Sequence, residues 1–181
     1  MIYLFLAEGF EEVEAVTTID YLRRSNLSVV TVGVGGKNIT GTHGITVTAD
    51  IEDTQVILND ELDGVILPGG MPGTINLERS AIVQKTVDYC ADNNRLLAAI
   101  CAAPSILGHK GLLKDLNATC FPGMETECEE SKMQYKPACC DKNIITGMAA
   151  GAATQFSAEI VKYFKGEDQA EKLLEEIKWV I

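Results

Sequence analysis

The order of hydrophobic patterns at the start of the chain restricts the fold most. IYLFLA (Ile2–Ala7) is a short, continuous apolar run, the pattern of a strand buried on both faces. In EGFEEVEAVTTIDYLRRS, which follows, Ala15, Val16, Ile19 and Leu22 recur at helical spacing. Glu11 and Glu12 fall in the first turn and Arg23 and Arg24 in the last, which suits the helix dipole. LSVVTVGV (Leu27–Val34) is a second strand. A β-α-β unit of this kind commits the chain to parallel strands.

The rest of the sequence extends that alternation. GGKNITGTHGITVTAD predicts a small hairpin with ITVTA as one arm. DGVILPGG (Asp63–Gly70) is a buried strand ending in Pro-Gly-Gly, and Ser80–Asn94 is a helix with Ser80 as its N-cap. RLLAAI is the next strand, and CAAPSILGHKGLL leads into a helix. ATCFPG and NIITG read as short strands around a looser acidic region, Glu125–Lys136. AAGAATQFSAEIVKYFKG is a helix closed by Gly166, and a last helix carries Ala170, Leu173, Leu174, Ile177 and Ile181 on one stripe. The expectation is one doubly wound α/β domain over residues 1–181, a mostly parallel sheet with helices on both faces and no linker.

Charge and cysteine usage narrow the function classes. A net charge of −11 disfavours nucleic acid and anionic membrane surfaces, both of which attract Lys and Arg. The N-terminal apolar run is too short for a signal peptide, and no stretch approaches the roughly 20 apolar residues of a membrane span. A cytoplasmic location is the expectation. The six cysteines then read as reduced thiols. No Cys-x-x-Cys occurs, His43 and His109 lie far apart, and Cys128, Cys139 and Cys140 lack zinc-ligand spacing, so no metal is expected. The adjacent Cys139 and Cys140 read as incidental, because neighbouring cysteines rarely meet disulfide geometry.

Doubly wound sheets place their sites at the carboxyl ends of the strands. Cys101 and Gly69-Gly70 both lie there, and Glu14 sits in the helix leaving the first strand. A nucleophile on a sharp strand-to-helix turn is pushed out of the sheet. A helix N-terminus beside Cys101 would lower its pKa, and Pro104 suits the first turn of such a helix. Ala102 and Ala103 leave room for a substrate, and the Gly70 and Ala102 amides, if they converge, make an oxyanion hole. Plainer readings exist for each piece. Free cysteine is commonly a small buried hydrophobe, and Pro-Gly-Gly is commonly a turn. Glu14 lies off the apolar stripe, beside Thr18 and near Tyr21, so periodicity does not mark it as functional.

The motifs AEGFEEVEAVTTIDYLRR, DGVILPGGMPGTINL and AAICAAPSIL, in that order, resemble the ThiJ/PfpI superfamily, in particular its DJ-one-like branch. The similarity covers essentially the whole chain. It implies a flavodoxin-like sandwich, a homodimer, and a reactive cysteine at a nucleophile elbow in a strained backbone, matched by Cys101. It implies that a glutamate matching Glu14 hydrogen-bonds the sulfur and that amides matching Gly70 and Ala102 line the pocket. Arg24 matches an arginine that is structural or near the dimer interface, and His43 lies where relatives can carry a basic interface residue.

Members of the family are described as glyoxalase III enzymes or protein deglycases, as stress sensors and chaperones, and, in bacteria, under a thiamine-thiazole label. Others are peptidases or amidotransferases. This sequence has Phe121 where several relatives place a histidine near the cysteine, and Ala102 where the peptidases have one. An amine leaving group needs an acid, so that absence disfavours peptidase and amidotransferase chemistry. His109, about two helical turns beyond Cys101, reads as packing or capping. The resulting expectation is a cofactor-free enzyme in which Cys101 attacks a small α-oxoaldehyde and Glu14 shuttles protons. The alternative is a redox sensor built on an oxidisable Cys101. Thr17 and Tyr21, flanking the first helix, are expected against a second subunit.

Overall fold

A computed structural model describes residues 1–180. The chain opens with β1 (Ile2–Leu6), α1 (Glu12–Arg24) and β2 (Val29–Gly33), the parallel unit expected from its patterning. The hairpin β3 (Asn38–Thr40) and β4 (Thr46–Thr48) follows, then β5 (Ile51–Glu52) and β6 (Gly64–Leu67). Next come α2 (Gly73–Arg79), α3 (Ala81–Asp92), β7 (Leu96–Ile100) and α4 (Pro104–His109). β8 (Asn117–Ala118), β9 (Lys132–Met133), β10 (Ala138–Asp141) and β11 (Ile144–Gly147) precede α5 (Ala153–Lys165) and α6 (Glu167–Glu176).

The main sheet has seven strands in the order β10-β11-β7-β6-β1-β2-β5. All its pairs are parallel except β10 with β11. Because side chains alternate across a strand, β1 feeds two cores. Tyr3 and Phe5 join Val65, Leu67, Leu97 and Ala99 against α3 and α4. Ile2, Leu4 and Leu6 join Ile66, Ala98 and Ile100 against α1, α5 and α6. Helices on both faces are why the central strands read as unbroken apolar runs. Burying each large side chain contributes roughly 1.5–3 kcal/mol, so the central strands anchor the site above them. Among the described residues no helix is long and apolar enough to cross a membrane.

Several details depart from the sequence reading. Val16, placed on the apolar stripe of α1, is 45% exposed, while Glu14, placed off it, is 1% exposed. Ser80 stands at the N-cap of α3 but its side chain makes no capping hydrogen bond. ATCFPG contributes only Ala118 to β8, which pairs with β9 outside the main sheet. The helix expected after residue 149 begins as a 3₁₀ turn at Ala150–Ala152. α2, β5 and the edge strand β10 have no counterpart among the expectations. In the last stripe Ala170 and Leu173 are buried, and Ile181 lies outside the described residues.

Candidate active site

β7 ends at Ile100, and the chain turns through Cys101–Ala103 before α4 begins at Pro104. Cys101 has φ 67°, a left-handed conformation that costs a non-glycine residue of order 1–3 kcal/mol. Two hydrogen bonds hold it there. Its N–H donates to the Gly147 carbonyl at 2.9 Å, and its carbonyl accepts from the Phe121 N–H at 2.7 Å. The elbow is thus tied to β11 on one side and to the segment after β8 on the other, and it leaves the side chain half-buried at the sheet rim.

Glu14, in the second half-turn of α1, reaches under this elbow. Its Oε2 accepts from the Gly69 N–H at 2.8 Å. The Cys101 thiol is the carboxyl's other hydrogen-bonding neighbour, and no fixed donor reaches the buried Oε1. Gly69 makes the approach possible. A Cβ there would lie 2.6 Å from Cys101 Cβ and 2.7 Å from Glu14 Oε2, so only glycine lets the carboxyl and the thiol meet. The Gly70 and Ala102 amides both converge on the Cys101 sulfur.

The electrostatics correct the expectation of a lowered thiol pKa. Burial raises Glu14 to about 7, against the thiol and the Gly69 amide, with the Glu11 charge adding to the rise. Burial also pushes Cys101 up to about 12, and the Glu14 charge and hydrogen bond add to it, outweighing the Ala102 and Gly70 amides. The α4 N-terminus, three residues farther on, does not counter a carboxylate beside the sulfur. Near neutral pH the sulfur is a protonated thiol facing a carboxyl that is half ionised.

In front of the sulfur is a cavity of about 320 Å³ lined by Gly70, Met71, Cys101, Ala102, Phe121 and Met124. Its walls are apolar apart from the backbone. Phe121, where relatives can carry a histidine, puts a ring 46% exposed at the mouth. A larger cleft of about 460 Å³, between Glu8, Gly35, Asp53 and Arg79, has no cysteine in its lining.

The structure therefore brings together Cys101, Glu14, Gly69, Gly70 and Ala102. It does not bring Arg24, which is exposed and paired with Asp20 at 2.9 Å. His43 sits at the hairpin tip, 2.9 Å from Glu12 Oε2 and 3.6 Å from Glu11 Oε2. Among the described residues these three are the one group whose atoms could hold a cation, and they read as an ion pair with a second carboxylate beside it. His109 ends α4 and bridges Glu78 and Glu127, away from the sulfur. Cys139 and Cys140, adjacent on β10, point to opposite faces. Met71 and Met124 were not legible as pocket walls, because their positions depend on loops without periodicity.

A profile of the DJ-1/PfpI family matches residues 1–163. The chain belongs to the DJ-1/PfpI family. It is 30% identical to protein dj-1beta of Drosophila melanogaster, covering 94% of this chain and 92% of that protein. It is 28% identical to the Parkinson disease protein 7 homolog of Danio rerio, over 92% of this chain and 90% of that one. Among solved structures, oxidized Toxoplasma gondii DJ-1 superposes with a TM-score of 0.94 at 27% identity, covering 99% of this chain and 98% of that one. Drosophila DJ-1beta superposes with a TM-score of 0.92, also at 27% identity and with the same coverage. The flavodoxin-like α/β architecture of the DJ-1 fold is therefore that of this protein.

Proposed function

We propose that this DJ-1-like protein is a cysteine-dependent enzyme of the glyoxalase III or deglycase type that converts small α-oxoaldehydes to hydroxy acids. The observation that carries the reading is the half-satisfied buried carboxyl of Glu14 against the Cys101 thiol. A carboxylate oxygen lacking a donor, with its pKa raised to about 7, is poised to take the thiol proton. As it does, the sulfur attacks the aldehyde carbon of methylglyoxal, giving a hemithioacetal. The Gly70 and Ala102 amides hold the charge that develops on sulfur and oxygen. Glu14 then moves the aldehyde hydrogen, as a proton, to the neighbouring carbonyl carbon through an enediol, leaving a thioester. Water releases lactate and restores the thiol. Substrate plus one water gives product, so no external oxidant, metal or organic cofactor is required.

The cavity matches so small a substrate, and the lack of a histidine acid matters little where the first step expels no amine. Methylglyoxal consumption by wild type, Cys101→Ser and Glu14→Gln tests the assignment; equal rates in all three defeat it.

The second reading is a redox-sensing, stress-responsive protein. The two amides aimed at the sulfur would equally hold the oxygens of a sulfinate, and oxidation of a half-buried thiol follows the usual cysteine ladder. The oxidized form of the Toxoplasma relative is compatible with it. Mass spectrometry after mild peroxide separates the two: selective oxidation of Cys101 without aldehyde turnover favours sensing.

We also propose a homodimer. Val13 and Val16 on α1 and Ile45 on the hairpin are exposed apolar side chains beside the half-buried Thr17 and Tyr21. A monomer in light scattering refutes it. Six free thiols suit a reducing compartment, and the cytoplasm is the location assigned here.

A further inference from the structure

His109 ends α4, and both of its ring nitrogens meet carboxylates. Nδ1 lies 2.5 Å from Glu78 Oε1 and Nε2 lies 2.9 Å from Glu127 Oε2. An ionised carboxylate accepts hydrogen bonds and donates none, so two such bonds require an N–H on each nitrogen. The ring is therefore an imidazolium held between two acids.

Those acids belong to the two segments that wall the Cys101 cavity. Glu78 is in α2, which follows the Gly70–Met71 wall and is tied back to it by the Thr74 N–H, donating to the Gly70 carbonyl at 2.8 Å. Glu127 ends a 3₁₀ turn, Glu125–Glu127, that follows the walls Phe121 and Met124. From Glu127 a run of backbone bonds leads to the sulfur-bearing elbow. Glu127 N–H donates to the Met124 carbonyl at 3.0 Å, Met124 N–H to Phe121 at 2.9 Å, and Phe121 N–H to Cys101 at 2.7 Å. Beside the ring, α4 and the turn meet backbone to backbone, because a Cβ on Gly108 would lie 2.2 Å from the Glu127 carbonyl oxygen. Of the other charges on these elements, Lys110 reaches Asp88 of α3 at 2.7 Å, and Arg79 and Lys85 line clefts beside Asp53. Glu125 Oε2 accepts from the Gly123 N–H at 2.9 Å.

We propose that His109 is a positioning residue of the Cys101 site: its charged ring, bonded to Glu78 and Glu127, holds the Phe121–Met124 wall in place, and the wall loosens when the ring loses its proton. The Glu78 bond and then the Glu127 bond raise the acidity constant of the ring above its ordinary 6.5, with burial opposing. The clamp is thus fully closed below 6.5 and opens as pH rises through the raised value. While closed, it keeps the cavity narrow and favours small electrophiles at the sulfur. The inference rests on Cys101 as the reactive centre named above. It needs no aldehyde turnover, and its test reads none.

The experiment labels Cys101 with a small and a bulky reagent, N-methylmaleimide and N-pyrenylmaleimide, between pH 5 and pH 9, and follows the Cys101 peptide by mass spectrometry. Both reagents need the same thiolate, so the ratio of their rates cancels thiol ionisation and reads the width of the cavity mouth. In wild type the ratio of bulky to small should be low and flat in acid. It should climb about 10-fold as the ring deprotonates, the order expected of two half-exposed ion pairs acting together. His109→Gln should sit on the high plateau at every pH, and His109→Lys, which keeps a cation, on the low one. Amide exchange at pH 6 gives a second readout. In His109→Gln the Met124, Glu127 and Cys128 amides should exchange faster by a similar factor, while the Cys101 amide, bonded to Gly147, should not.

A wild-type ratio that does not change with pH overturns the proposal. So does a glutamine variant that titrates like wild type, a lysine variant as open as the glutamine one, or exchange at Cys101 accelerated as much as in the turn. A titrating ratio in a protein that leaves every aldehyde untouched would defeat the enzymatic reading and support this one.

Discussion

Glu12 and Glu14 stand two residues apart on α1 and are 5% and 1% exposed, yet their acidities move in opposite directions. Burial acts to raise both. At Glu12 it is overcome by the His43 imidazole and by backbone amides including those of His43 and Ile45, which leave the carboxyl below its ordinary range. At Glu14 one amide and a thiol do not suffice, and the value settles at about 7. A buried carboxylate is thus a structural brace when donors saturate it and an acid–base group when they do not. Glu12 pins the hairpin loop to α1; Glu14 is left short of a donor beside a sulfur.

The largest effect expected from this contrast is kinetic. Glu14→Gln should slow aldehyde consumption by about 10²–10⁴-fold, the usual contribution of a positioned acid–base group, while Glu12→Gln should leave it within a few-fold. Comparable losses in both would erase the distinction. Next come the glycines that admit each carboxyl. Gly69→Ala puts a methyl between Glu14 and Cys101 and should cost on the order of 10²-fold, the penalty for roughly 1 Å of misplacement. Gly41→Ala would set a Cβ 2.3 Å from Glu12 Oε1 and should lower the melting temperature more than the rate.

Stability separates the pair by sign. Glu14 in the folded protein binds its proton more tightly than in the unfolded chain, where its pKa is 4.5. The folded state therefore loses stability as pH rises from about 4.5 to about 7. Glu14→Gln should recover stability on the order of 3 kcal/mol above that window, as read by denaturant unfolding. Glu12, held below 4.5, contributes stability that is present above that value and is lost as pH falls through its lowered folded value. Glu12→Gln should destabilise at neutral pH, by about 1–3 kcal/mol for the donors left unmatched. The smallest effect is expected for His43→Ala. The exposed imidazole is raised by its Glu12 hydrogen bond, then by the Glu11 charge, so its contribution holds below its ordinary value of 6.5 and fades as pH rises through the raised one. A slight fall in melting temperature at pH 6, vanishing at pH 9, checks it.

How far the sequence carried this contrast depended on local pattern. β1, β2, β6 and β7 were legible because strands covered on both faces must be apolar throughout, and that set Cys101 and Gly69-Gly70 at the sheet rim. Glu14 was not legible from periodicity, since the helical stripe excludes the very carboxyl that the fold buries; only family resemblance pointed to it. A helix N-terminus next to Cys101 predicts an acidic thiol, but α4 starts three residues farther on, at Pro104, and α1 delivers the opposing Glu14 charge to the sulfur. β10, α2 and the cavity walls Met71 and Met124 depend on tertiary packing, with no strong period or motif to announce them.

The central claim is that Glu14, rather than a thiol ionised on its own, governs the reactivity of Cys101. The pH dependence of Cys101 alkylation, followed by mass spectrometry in wild type and Glu14→Gln, tests it directly. Wild-type reactivity should rise through an inflection near pH 7 as the carboxyl becomes a base, and the variant should lose that inflection and react slowly until alkaline pH. An unchanged profile in the variant, or a wild-type sulfur already fully reactive at pH 5, would contradict it.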